Sequence, residues 1–406
     1  MINCQCRVVF LGLFLPLFFF ILTNIISNFA FAEVRVEQGG KITTEASWYP
    51  QKEAFPGQKG GFLHIETRPE LAIFSDKGEI FIQPRISGGS SGNGIVDIRE
   101  GHFTTQFGGA DILVGNTILF WGKTESYNPV DVVNATDYSR GLMRGEKRGS
   151  PMLSVSWPLG AGEIDFLTIG FVENIYPKAS TRERPSPQIL KNVSYSGGAK
   201  SGDLANAVRW SGYFGDVDFG ISWFDGIGKS PRMLLQPNGK LKPDYSRITQ
   251  AAMDIQYILD ASALKMELIH RSGQYNRSGV NESYRAGVIG IEHNFYDIDG
   301  SGDDIILIAE YAHDSRVGRS HSGFQNDFTF GARWLWNDVE GTEFLSLLTQ
   351  DLDNGGKTLR VSFDRRINNQ LTFEVNARLP YRYNRDPNNV ALKKDGAIIA
   401  ALIFNF

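Results

Sequence analysis

Apolar and polar side chains alternate along most of this chain. In 370–380, Leu371, Phe373, Val375, Ala377 and Leu379 fall on one face and Thr372, Glu374, Asn376 and Arg378 on the other. The preceding run sets Leu359, Val361 and Phe363 against Arg360, Ser362 and Asp364. Phe328, Phe330, Ala332, Trp334 and Trp336 oppose Asp327, Thr329 and Arg333. Further back, Leu264, Met266 and Leu268 oppose Lys265, Glu267 and Arg271, and Val208, Trp210 and Phe214 oppose Arg209 and Ser211. A period of two belongs to a strand between unlike surroundings, and no window of similar length holds a helical period. The chain reads as all-β.

The connections carry a second pattern. From Pro151 onward they alternate between tight (159–162, 215–216, 259–261, 368–369) and long (173–204, 226–246, 273–282, 315–324, 381–394). Short turns on one side and longer loops on the other mark an antiparallel up-and-down transmembrane β-barrel. A soluble sandwich has no reason to keep that rhythm. The count is about 18 strands, with 16 as the fallback because Pro69 and Pro84 interrupt two of the first three. Aromatic residues near strand ends predict interfacial girdles: Trp48, Tyr49, Trp121, Trp157, Phe171, Trp223, Tyr257, Tyr296 and Trp336.

The two ends agree with that reading. Residues 1–32 hold one charge, Arg7, then an apolar run from Val8 to Leu22 and Ala30-Phe31-Ala32, the form of a cleaved signal peptide. Residues 33–406 then form one barrel, exported to the outer membrane of a Gram-negative cell. They contain no cysteine, as suits passage through an oxidising compartment. The last strand ends on Phe406, with Ile398, Ala400, Leu402 and Phe404 on the same face. That terminus looks like the signal read by the barrel assembly machinery. With 44 glycines, 12% aromatics and a net charge of −4, the chain offers no basic surface for nucleic acid. Outer-membrane lipid and lipopolysaccharide are its expected surroundings; its oligomeric state is left open.

A barrel this wide encloses water. Arg209, Lys265, Glu267, Arg271, Arg333, Arg360, Asp364, Glu374 and Arg378 are the expected lumen-facing charges. A long charged break in the alternation follows Phe120-Trp121-Gly122 and runs to Ser150. It holds Lys123, Glu125, Asp131 and Asp137, then Arg140, Arg144, Lys147 and Arg148. As the third long outer loop, 123–150 resembles the loop that folds inward in general porins. Its acidic and basic halves are candidates for a charged constriction. Otherwise its basic cluster faces outward, toward lipopolysaccharide phosphates.

Several motifs together resemble an uncharacterised proteobacterial outer-membrane β-barrel family of porin-like type. They are Phe120-Trp121-Gly122 with Thr124-Glu125-Ser126, Asp131 with Asn134, Thr136 and Asp137, Tyr213-Phe214-Gly215-Asp216, and Phe324-Gln325-Asn326-Asp327 with Gly331-Ala332-Arg333. The resemblance implies location and fold, and no activity. The expected function is a channel for small polar solutes or ions. The alternative is a non-conducting barrel for envelope assembly or surface binding. An outer-membrane hydrolase ranks third, since His270, His293 and His313 sit in strands without a motif linking them to a nucleophile. No metal or cofactor is expected; 297–302 starts like a calcium loop, but Ile308 stands where its bidentate Glu would be.

Overall fold

The computed structural model describes residues 34–406 apart from 91, 93, 179, 185, 186 and 386–389, so the expected leader lies outside the described residues. Eighteen long strands follow one another among them. They are β1 (Arg35–Trp48), β2 (Gly61–Ser75), β3 (Gly78–Gly89), β4 (Ile95–Phe107), β5 (Ala110–Thr117) and β6 (Ser150–Leu159). Next come β7 (Gly162–Gly170), β8 (Leu204–Phe214), β9 (Val217–Ile227), β10 (Leu241–Leu259), β11 (Ser262–Tyr275) and β12 (Asn281–Phe295). The last six are β13 (Asp304–Asp314), β14 (Asn326–Leu335), β15 (Glu343–Asp351), β16 (Lys357–Arg366), β17 (Leu371–Tyr381) and β18 (Ala397–Asn405). Each pairs antiparallel with the next, and β1 pairs with β18 from Lys41↔Asn405 to Trp48↔Ile398. Closure leaves no edge, the condition for strands that meet lipid, where unpaired backbone groups find no water.

The fallback of sixteen strands is not needed. The β2–β3 ladder breaks between Thr67↔Ile86 and Leu71↔Ile82, the stretch that holds both Pro69 and Pro84. A bulge at Gln83/Pro84 lets β4 pair past it. Both missing N–H donors fall at one level of one ladder, while β1–β2 stays continuous.

Side-chain directions follow the alternation. On β18, Ile398, Leu402, Phe404 and Phe406 are exposed on the outer face, while Ala397 and Ala401 are buried inside. The terminal residue also ties the seam: Phe406 N–H donates to Gly40 O and Gly40 N–H to Phe406 O, both at 3.0 Å. Trp48, Trp157, Trp223, Tyr257, Tyr296 and Trp336 lie exposed on the outer face, as girdle residues should. Three girdle assignments are wrong. Tyr49 is buried and donates to Glu183 Oε1 at 2.9 Å. Phe171 packs edge-on against Tyr245 with ring centroids 5.0 Å apart. Trp121 is buried inside the barrel. All three stand where a strand passes into an outer loop, and those loops turn inward.

Candidate functional site: the inward third loop

The connection between β5 and β6, residues 118–149, is the third of nine on its side of the barrel, and it enters the lumen. Its root is apolar. Trp121, Val130, Val132 and Val133 pack against Met152, Leu167, Ile169, Phe224, Ile248 and Ile269, inward-facing side chains of β6–β11. Full burial of such side chains contributes roughly 1.5–3 kcal/mol each, so this patch glues the loop to the wall. Gly122 makes the turn inward at φ 153°, where a Cβ would come within 2.7 Å of Asn128 Nδ2.

The next residues are held by two buried wall carboxylates. Glu267 Oε1, on β11, accepts from Lys123 N (2.7 Å), Thr124 N (3.0 Å), Thr124 Oγ1 (2.9 Å) and Asn128 Nδ2 (2.9 Å). Glu310, on β13, accepts from Glu125 N and Ser126 N, each at 2.7 Å, and from Ser126 Oγ. The Glu125 side chain reaches further round the wall, to Arg333 on β14 at 3.1 Å and to Arg360 on β16. The polar residues of the Thr-Glu-Ser-x-Asn run therefore grip three parts of the wall: Glu267 from Thr124 and Asn128, Glu310 from Ser126, and the arginines Arg333 and Arg360 from Glu125. Hydrogen bonds to ionised, buried acceptors are the strong ones.

The returning half meets the opposite wall. The short strands Thr136–Asp137 and Glu146–Lys147 pair as a hairpin. Glu146 is the centre of an arginine cluster: Arg68 (2.6 Å), Arg99 (2.8 Å) and Arg140 (3.2 Å). Arg85 joins Asp137 at 3.0 Å, and Glu45 on β1 pairs with Arg140 (3.2 Å) and Arg144 (2.6 Å). Burial alone would raise the Glu146 carboxyl; Arg68, Arg99 and Arg140 outweigh it and hold it below the usual carboxylate range. Glu146→Gln should therefore lower unfolding stability in lipid vesicles by about 3 kcal/mol near neutral pH, because it takes away the carboxylate that Arg68, Arg99 and Arg140 share and leaves Arg99 without an ion pair among the described residues. The folded-state pKa is depressed, so this contribution is present above the ordinary Glu range and fades as pH falls through it. The exposed Glu53→Gln change is the control, and equal midpoints for the two variants would refute the cluster's role.

The sequence-predicted loop residues thus come together inside the barrel, paired differently from the expectation. Apart from the Lys147–Asp131 pair, the acidic and basic halves meet the wall and not each other. Glu125 pairs with wall arginines, Arg140 and Arg144 pair with Glu45, Lys147 pairs with Asp131, and Arg148 donates to Glu173 O in the next outer loop. The basic cluster is accordingly not an outward surface. Lys123 lines a second cavity on the turn side, about 360 Å³, with Glu163, Arg209 and Asp218. On the wall, Arg209 pairs with Asp254 (2.8 Å), Lys265 with Glu292 (2.5 Å) and Arg333 with Glu343 (2.9 Å). Asp364 and Glu374 stand opposite each other on β16 and β17.

Above the loop, on the outer side, lies a cavity of about 630 Å³ lined by later outer loops and by the upper ends of β14–β17. Arg271 and Arg378 line it, joined by Lys229, which the sequence reading missed. Lys229 Nζ sits 4.3 Å from the Phe171 ring centroid; burial, then the nearby Arg148 charge, pushes its ammonium down to about 7. Glu310, the second clamp, was also missed. Its place opposite Gly290 and Thr329 in an alternating strand was the available signal. Of the strand histidines, His270 and His313 are exposed, and His293 Nδ1 bonds only across the ladder to Ser262 Oγ at 2.8 Å.

Strand number, closure and an inward third loop define a transmembrane β-barrel of the outer-membrane type. No protein-family model matches the chain, and no curated protein matches its sequence. Among solved structures it is similar in fold to OccAB1 of Acinetobacter baumannii (TM-score 0.55, 8% identity, 91% of this chain and 96% of that one). OccK11 (OpdR) of Pseudomonas aeruginosa gives TM-score 0.54 at 6% identity over 93% and 96% of the two chains. Wzi, described as a carbohydrate-binding β-barrel of the Escherichia coli outer membrane involved in group 1 capsule assembly, gives 0.53 at 12% identity over 90% and 84%.

Proposed function

We propose that this protein is an outer-membrane channel of a Gram-negative cell, passing small polar solutes or ions, with the third loop as its constriction. Residues 1–32 direct export and are then removed, and Phe406 serves recognition by the assembly machinery. One observation carries the reading: the loop is held across the lumen by Glu267 and Glu310, with polar cavities on both faces. A barrel meant only as a plug or anchor needs no such graded interior. The residues that narrow the passage are then Lys123, Glu125 and the Glu146 cluster.

A second reading is a non-conducting barrel that binds at the cell surface, favoured by the fold likeness to Wzi and by how much of the lumen the loops fill. Single-channel recording in a planar bilayer separates the two. Discrete conductance steps from purified, heat-modifiable protein are the expected result. A folded barrel that gives no steps at any salt concentration overturns the channel.

A further inference from the structure

The lipid-facing side of β11–β13 changes character at the level where the outer loops begin. Lower down it is apolar, with Leu264 and Leu268 on β11, Ile289 and Ile291 on β12 and Leu307 on β13 all exposed. Toward the loops the same faces carry His270, Arg285 and His313, also exposed. The three stand in a row on adjacent strands. His270 and Arg285 are direct partners in the β11–β12 ladder. His313 is opposite Gly287, the next lipid-facing position below Arg285, so no side chain stands between them on β12. Cβ atoms of direct partners lie about 5 Å apart and diagonal neighbours about 7–8 Å, within the span of one headgroup.

Nothing on the protein neutralises this row. Among the described residues none of the three side chains hydrogen-bonds to a protein group or has a carboxylate within 4.0 Å. Arg247, the lipid-facing arginine of β10 at the same end, is by contrast paired with Asp225. The acids at the upper ends of β12 and β13 are engaged elsewhere. Glu282 takes Asn276 Nδ2 at 2.8 Å and Arg319 at 3.5 Å, and the buried Asp314 takes Arg316 at 2.6 Å. Arg319 is itself more than half exposed, and its backbone O accepts from Arg277 N at 2.9 Å, so two further arginines follow in the loops above. Cations above an apolar band match an amphiphile whose head is anionic.

We propose that this row is a docking surface for the phosphorylated headgroup of outer-leaflet lipopolysaccharide, with phosphate held by Arg285, His270 and His313 and acyl chains lying along Leu268, Ile289 and Tyr311. A guanidinium fork matches phosphate oxygens two at a time, and each imidazole offers an N–H donor. Position selects the leaflet, because the row lies at the loop ends of its strands and not at the turns. The inference rests on the outer-membrane placement and is independent of conduction.

Native mass spectrometry of the detergent-solubilised barrel tests this with synthetic lipid A carrying two phosphates, one or none on the same acylated disaccharide. The two-phosphate form should bind about tenfold more tightly than the phosphate-free form. Arg285→Gln, and His270→Gln with His313→Gln, should each remove most of that preference and leave phosphate-free lipid A unchanged. These side chains face outward, and heat-modifiability confirms that the variants are folded. Arg365→Gln is the control, since Arg365 is exposed on the lipid-facing side at the turn end of β16. Equal binding of the three lipids, or equal losses from Arg285→Gln and Arg365→Gln, would overturn the surface. Phosphatidylglycerol bound through Arg285 as tightly as two-phosphate lipid A would overturn the assignment to lipopolysaccharide. A barrel that conducts without preferring phosphorylated lipid A loses this surface and keeps the channel; one that shows the preference without conducting does the reverse.

Discussion

Replacing Glu267 and Glu310 together by alanine should turn a narrow conduit into a wide one. These two carboxylates accept seven hydrogen bonds from residues 123–128, and among the described residues no other wall group holds the backbone of that segment. A hydrogen bond to a charged group contributes about 1.5–3 kcal/mol, so the pair outweighs the cost of letting the segment move into water. Conductance should rise several-fold and fluctuate more, because the apolar root at Trp121 still tethers the loop. Each single glutamine variant retains one acceptor oxygen and should show a smaller rise. An unchanged conductance in the double variant would mean that the Glu146 cluster alone fixes the loop.

The second large effect lies on the wall. Val375 pairs with Phe363 and Ala400 in the ladders and points to the lipid side with them; Glu374 points inward beside Asp364. Val375→Arg should cost ~2–4 kcal/mol if it lies near the bilayer midplane, since its charge meets hydrocarbon. Glu374→Gln removes one of two facing acids and should leave stability unchanged while lowering preference for cations at low salt. Urea unfolding into vesicles and reversal potentials measure the two. Equal losses of stability would place the register one residue out.

The barrel was legible because its physics is local. Lipid outside and water or protein inside force a period of two on every strand, and Leu371–Leu379 displays it without reference to any other part of the chain. Loop lengths then gave the strand count, and the two prolines that argued for sixteen proved to share one gap. The site was legible only in part. That 123–150 matters follows from its charge and place; its partners do not, because Glu125, Arg140 and Arg144 pair with residues far away in sequence. Trp121 looked like a girdle residue for the same reason: spacing locates an aromatic near a strand end and says nothing of a loop that turns inward. Lys229 escaped notice since it stands alone in sequence and gains its character from burial.

The clamp also has a history built into it. Lys123 reaches an acceptor 144 positions later, Glu125 one 185 positions later, and the Glu125–Arg360 pair spans 235. None of these contacts can form until β11, β13 and β16 have been laid down. The third loop is therefore secured only when most of the wall already exists, and Glu267 and Glu310 are late acquisitions of the growing sheet as well as fixtures of the finished passage.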